Sequence, residues 1–117
     1  MYTNTFTVNN KSKHFDLCTR LHATSSDNDH LELDVHDLFF NFFHDNSIIK
    51  FDLIIKSEDQ CSENDIMSSD YIMNGLVFKV NNLETLVSYA GLLMSLKSSK
   101  KYNFSEDQSV VGLISIS

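Results

Sequence analysis

The stretch from Asn82 to Lys101, NLETLVSYAGLLMSLKSSKK, decides the predicted fold class because it carries the clearest helical periodicity in the chain. Asn82 is a residue type that commonly begins a helix as its N-cap. Lys97, Lys100 and Lys101 lie at the other end, where cations favour a helix C-terminus. The apolar residues that share one face at this spacing are Leu83, Leu86, Val87, Ala90, Leu93 and Met94, with Leu96 at the edge. The segment therefore predicts an amphipathic helix packed on the rest of the domain.

Alternating polar and apolar residues predict strands elsewhere in the chain. Segments 3–8 and 13–23 alternate on either side of four polar residues, which predicts a hairpin. The segment from Ile48 to Lys56 is apolar on both faces, as is typical of a buried central strand. Two further strands are predicted at Tyr71–Val80, with Gly75 as a candidate bulge, and at Val110–Ile116.

Two periods compete between Leu31 and Asn46. Leu31 and Leu33 alternate with acidic residues as in a short strand, and apolar residues then follow at helical spacing. Because Asp34 and Asp37 suit a helix start, we predict a helix near 35–45, with a Phe-rich strand as the alternative. The polar segment Ser57–Ser69 is predicted to be a long exposed loop.

A single domain covering residues 1–117 is expected, because the chain has no internal repeat and no linker. Its hydrophobic fraction of 42% is enough for a core. Strands in most segments and helices in one or two of them predict an α+β fold, in which a mainly antiparallel sheet packs on one or two helices.

The negative charge of the chain is local. Twelve of the sixteen carboxylates lie between Asp27 and Asp70, where only Lys50 and Lys56 oppose them. An acidic surface of this kind favours a basic protein partner, because the summed field steers oppositely charged molecules. Direct nucleic-acid binding is not expected, since the chain has a single Arg and a pI of about 5.0.

Catalytic, metal and cofactor sites are not predicted. All five histidines fall in the first 44 residues, namely His14, His22, His30, His36 and His44. Their intervals of six to eight residues are too wide for the closely paired ligands of zinc sites. A small His-dependent enzyme therefore ranks last among the functional hypotheses.

In size, acidity and lack of motifs the chain resembles a bacterial immunity protein of the contact-dependent growth inhibition type. The resemblance is one of profile over the whole chain. It implies a cytoplasmic protein, not an enzyme, that binds and blocks one cognate toxin domain, such as a basic tRNase-like nuclease. The alternative is a phage-encoded acidic inhibitor of a host defence nuclease. No membrane contact is expected, since no apolar run is long enough for a membrane span.

The charge map supplies the candidate residues for partner binding. Carboxylates would meet the cations of a nuclease site, and Phe40 would add an aromatic anchor. The candidates are Asp27, Asp29, Glu32, Asp34, Asp37, Phe40, Asp45, Glu58, Asp59, Glu63 and Asp65. The alternative is that these carboxylates only keep one side of the domain hydrated and bind no partner.

Overall fold

The computed structural model describes residues 2–15, 18–36, 46–57, 63–99 and 104–116, with the backbone alone at 13–15 and 63–65. The described part contains eight strands and one short helix. In chain order they are β1 (Tyr2–Phe15), β2 (Cys18–Ser25), β3 (His30–His36), β4 (Ile48–Ile55), α1 (Glu63–Ser68), β5 (Tyr71–Val80), β6 (Glu84–Tyr89), β7 (Leu92–Lys97) and β8 (Ser109–Ile116).

The strands form one closed barrel in the order β1-β2-β3-β7-β6-β5-β8-β4. All neighbouring strands are antiparallel. Two meanders, β1-β2-β3 and β5-β6-β7, meet where β3 pairs with β7, and β4 and β8 complete the circle. The predicted α+β fold with helices packed on a sheet is therefore wrong, because the described chain is almost entirely β-structure.

The segment after Asn82, which was predicted to be a helix, contains a hairpin instead. Strands β6 and β7 pair from Glu84↔Lys97 to Tyr89↔Leu92, which leaves a two-residue turn of Ala90 and Gly91. Both turn residues have positive φ, at 53° and 94°. A two-residue turn with positive φ at both positions matches the twist of the two strands that it joins, and glycine favours such a turn. The apolar residues of the stretch satisfy period 2 as well as period 3.6, and pairing with β3 and β5 settles the choice.

Several strand predictions are confirmed. Strand β4 covers Ile48–Ile55 between β1 and β8, β5 covers Tyr71–Val80, and β8 contains the predicted final strand. A hairpin does form at the start of the chain, but its predicted turn is wrong, because β1 continues through the polar residues to Phe15 and β2 begins at Cys18. The helix predicted near 35–45 is wrong at residues 35 and 36, which belong to β3, and its remainder lies outside the described residues.

Two smaller predictions also differ from the structure. The segment predicted to be a loop contains α1, in which Ile66 and Met67 are exposed. The bulge in β5 lies between Val77 and Lys79 and not at Gly75. Within the described chain, no helix has the length and apolar character that crossing a membrane requires.

The barrel interior is filled by the inward residues of every strand. Tyr2, Phe6 and Phe51 are fully buried and lie with ring centroids 6.3 to 6.4 Å apart. Aromatic rings at this separation interact favourably beyond the area that they bury. Because β1 and β4 carry these three rings, the aromatic cluster joins the two strands from the inside.

The ring of Tyr89 lies against the backbone of β5 and β8 at two glycines. A Cβ atom built at Gly75 would lie 2.4 Å from Tyr89 Cδ1, and one built at Gly112 would lie 2.9 Å from its hydroxyl oxygen. The hydroxyl group contacts Met94 Sδ at 3.4 Å. The absence of side chains at these two positions lets the ring fill the interior.

Replacing Tyr89 with Phe should make the protein less sensitive to alkaline pH. Burial raises the pKa of the Tyr89 phenol above its ordinary value of 10.0. Above pH 10 the unfolded chain releases this proton while the folded chain keeps it, so stability falls by about 1.4 kcal/mol per pH unit. In the Phe variant this contribution is absent.

Urea unfolding at pH 7 and at pH 10.5 to 11.5 measures the effect. At pH 7 the two proteins should differ by about 1 kcal/mol or less, because the hydroxyl group makes only the contact with sulfur. If the stability of the two proteins fell equally above pH 10, the prediction would be wrong.

Candidate protein-interaction groove

The bulge in β5 exposes an aromatic side chain on the outside of the barrel. The register with β6 shifts between Val77 and Lys79, so that Phe78 is the extra residue. A bulge interrupts the alternation of inward and outward side chains. As a result Val77 is fully buried, while Phe78 and Lys79 are both exposed, Phe78 to 43%.

Two leucines on the adjacent strands continue this apolar surface. Leu86 of β6 is partnered by Lys79 on one side and by Ser95 on the other. Leu93 of β7 is partnered by Ser88 and is 39% exposed. Because both leucines point outward, they form an apolar floor beside Phe78.

A groove of about 260 Å³ lies over this floor. It extends from Phe78 on β5 across β6 and β7 to the outer faces of β3 and β2. We call it the outer groove, and it is lined by Arg20, Glu32, Phe78, Glu84, Leu86, Leu93, Met94 and Ser95. Its floor and walls all belong to strands, so the barrel ladder sets their positions.

A buried ion pair fixes one wall of the outer groove. Arg20 Nε donates to Asp34 Oδ1 at 2.7 Å and Arg20 Nη2 donates to Asp34 Oδ2 at 3.2 Å. Asp34 Oδ2 also accepts from the backbone N–H of Leu93 at 3.1 Å. The paired register of β3 and β7 ends at Leu33↔Met94, so Asp34 continues the contact between the two strands beyond it. The hydrogen bond with Asp34 raises the pKa of the Arg20 guanidinium group.

Two glutamates give the groove its negative charge. Glu84 Oε2 accepts from Ser95 Oγ at 2.7 Å and lies 3.9 Å from Lys97 Nζ. The side chain of Glu32 is 42% exposed, and His22 Nδ1 lies 3.6 Å from its Oε1. Among the described residues no Lys or Arg nitrogen lies within 4.0 Å of the Glu32 carboxylate. Glu32 thus offers a carboxylate to a partner.

A second, larger cavity of about 550 Å³ lies at one end of the barrel. Asn28 of the turn between β2 and β3 and His30 at the start of β3 line it, and the connection between β5 and β6 contributes Asn81 and Asn82. The described residues that line this cavity are polar apart from Leu83. The cavity offers hydrogen-bonding groups together with the exposed side chain of Leu83.

The structure separates the candidate residues that the sequence grouped by charge. Asp29 is fully buried and accepts from the Tyr2 hydroxyl group at 2.6 Å, and Asp34 is buried in its pair with Arg20. Asp27 is exposed and accepts hydrogen bonds from Ser25 Oγ and Asn4 Nδ2. Glu32 lies in the outer groove.

The other candidates lie outside the description of side chains. Glu63 and Asp65 belong to α1, whose first three residues are described by backbone alone. The candidates outside the described residues are Asp37, Phe40, Asp45, Glu58 and Asp59. For these residues partner binding stays a prediction.

The sequence pattern predicts Leu86 and Leu93 on the buried face of a helix, so it does not predict the apolar part of the groove. The signal for exposure was in β5, where Ile72, Leu76 and Phe78 alternate with a second apolar series. All three are more than 40% exposed. A strand that is apolar on both faces is commonly covered on its outer face as well. For β5, a partner protein is the candidate for covering that face.

Residues for a metal site are not brought together in the described part of the chain. It contains no group of three or more His, Cys, Asp or Glu side chains that could hold a metal ion. His22 lies 3.1 Å from Ser12 Oγ, and His30 is exposed.

Comparisons with known proteins give a family. The family model described as RNA polymerase Rpb8 matches residues 3–114. No curated protein matches the chain. Among solved structures, the cytoplasmic molybdate-binding protein ModG with molybdate bound is similar over 97% of this chain and 89% of its own, at 12% identity and a TM-score of 0.38. A similarity of that size is too weak to support a shared fold or a shared ligand.

The family match overturns the functional interpretation of the sequence. The resemblance to an immunity protein of contact-dependent growth inhibition is wrong, and so are the toxin nuclease partner and the phage inhibitor. That resemblance rested on size, acidity and missing motifs, which many small proteins share. The family model covers nearly the whole chain, and this protein belongs to the RNA polymerase Rpb8 family.

Proposed function

We propose that this protein is a non-catalytic subunit of an RNA polymerase and acts by binding other subunits of that enzyme. The observation that carries the proposal is the family match over residues 3–114. The match extends from β1 into β8, so it includes every strand of the barrel. The proposed role therefore belongs to the whole barrel.

The outer surface of the barrel supports a role in assembly. The exposed large apolar side chains of the described residues include three on β5, one on β7 and Leu83 in the connection between β5 and β6, which is 62% exposed. Apolar surface that remains in contact with water commonly marks a protein interface. Binding to other subunits would bury this surface.

The acidic residues fit the same role. Asp27 and Asp70 are exposed in the described structure, and the field of the Asp27–Asp70 segment attracts basic surfaces. Polymerase subunits that handle nucleic acid carry such surfaces. We propose that the exposed carboxylates speed the encounter with these subunits. We also propose that the protein stays in the compartment where transcription takes place.

Purification from the native source tests the proposal. A tagged chain should co-purify in stoichiometric amount with the large subunits of an RNA polymerase, identified by mass spectrometry, and the complex should synthesise RNA from a DNA template. The chain alone, produced in a foreign host, should synthesise no RNA. Recovery of the tagged protein without polymerase subunits, or RNA synthesis by the isolated chain, would overturn the proposal.

A further inference from the structure

We propose that the outer groove binds an apolar side chain of a partner RNA polymerase subunit and that Glu32 pairs with a Lys or Arg beside that side chain. This inference rests on the proposed function and adds the docking site and the chemistry of the partner segment. In this proposal Phe78, Leu86 and Leu93 make the apolar contacts with the partner, and Glu32 makes the charged contact.

The first argument is the exposed apolar surface of the groove. Phe78 and Leu93 are large side chains from two different strands, and Leu86 lies between them on β6. Burying such side chains against a partner removes apolar area from water, which is the main source of binding free energy. Phe78 is well placed as an anchor because the bulge turns it outward.

The second argument is the size of the groove. Its volume of about 260 Å³ lies below the roughly 300 to 1,000 Å³ of small-molecule pockets. One or two apolar side chains of a protein suit this space better than a cofactor does. The groove is also bounded by charged side chains at its rim, as protein interfaces commonly are.

The third argument is the rigidity of the site. Leu86 and Leu93 are held in strands of a closed barrel, and the Leu93 backbone is tied to β3 by Asp34. The same carboxylate holds Arg20 at the wall. A site whose side chains are already ordered loses less entropy on binding. The groove is therefore preorganised for binding a partner.

The fourth argument is charge. Arg20 is paired with Asp34, and Glu84 has Lys97 within 4 Å, whereas no Lys or Arg nitrogen of the described residues lies within 4.0 Å of the Glu32 carboxylate. A Lys or Arg of the partner would complete the pair with Glu32. A carboxylate at that place would be repelled, so the groove selects for a basic and apolar segment.

Serine substitutions test the apolar contacts. Phe78→Ser and Leu93→Ser should each reduce co-purification with the polymerase, or raise the Kd for the partner subunit, by about tenfold or more. Ile48→Ser is the matched control, because Ile48 is 46% exposed and lies on β4, outside the groove. Circular dichroism and melting temperature should show that all three variants remain folded.

Charge reversal tests Glu32. Glu32→Lys should weaken binding by about tenfold, and the loss should shrink as salt is raised, since exposed charges are screened. Glu106→Lys makes the same change in net charge at an exposed turn outside the groove and should bind as the wild type does.

The outcomes distinguish this inference from the proposed function. If the wild-type chain binds no polymerase, the proposed function fails. If the wild type binds and the folded groove variants bind equally well, the groove is not the docking site while the function stands. A loss with Ile48→Ser alone would overturn the inference too. So would a wild-type homodimer that Phe78→Ser converts to monomers.

Discussion

Replacing Gly75 with alanine should destabilise the protein by about 3 kcal/mol. The new Cβ would lie 2.4 Å from Tyr89 Cδ1 and 2.8 Å from the backbone oxygen of Ser88. The ring is held inside the barrel and the oxygen belongs to β6, so neither can move away cheaply. The strands β5 and β6 would have to separate at this point.

The midpoint of urea unfolding measures this effect, with Asn74→Ala as the control. Asn74 is the exposed neighbour of Gly75 on the same strand, and its truncation should cost about 0.5 kcal/mol or less. Adding Tyr89→Ala to Gly75→Ala should cost less than the sum of the two single losses, because the collision is removed. An unchanged midpoint for Gly75→Ala would show that the ring does not pack as described.

Replacing Asp34 with alanine should cost about 3 kcal/mol of stability. The change leaves the guanidinium group of Arg20, which is 21% exposed, without its carboxylate and removes the acceptor of the Leu93 N–H. Breaking a buried ion pair from one side costs about 3 to 5 kcal/mol, and the partial exposure of Arg20 places this site at the lower end.

Lys97→Ala provides the comparison for Asp34→Ala. Lys97 lies 3.9 Å from Glu84 and is 56% exposed, so its loss should cost less than about 1 kcal/mol. Replacing both members of the buried pair, as Arg20→Met with Asp34→Leu, should recover part of the stability. Equal losses for Asp34→Ala and Lys97→Ala would mean that the buried pair does not secure the contact between β3 and β7.

The strands were more predictable from the sequence than the fold class. Ile48–Ile55 and Tyr71–Val80 are long alternating segments, and both are strands with those bounds. The segment after Asn82 failed because its apolar residues fit a helix and a strand equally well. The residues that indicate a hairpin are Ala90-Gly91, which suit a tight turn. Thr85, Val87 and Tyr89 before this turn are residue types that favour strands.

The candidate site was less predictable because burial of a carboxylate depends on distant partners. Asp29 is buried by its contact with Tyr2, and Asp34 by its contact with Arg20. Neither partner is near in sequence, so a charge count placed both carboxylates on the surface. The outer groove depends in the same way on a bulge that moves Phe78 outward.

The strand order of the barrel also has a kinetic consequence. The meanders β1-β2-β3 and β5-β6-β7 need only short loops, so each can form from local contacts. The remaining pairings, of β3 with β7, of β1 with β4 and of β8 with β4 and β5, join strands that are distant along the chain. Closing such long loops costs entropy before any contact compensates for it, which slows folding. We therefore expect these pairings to form after the meanders, which keep unpaired edges until the barrel closes.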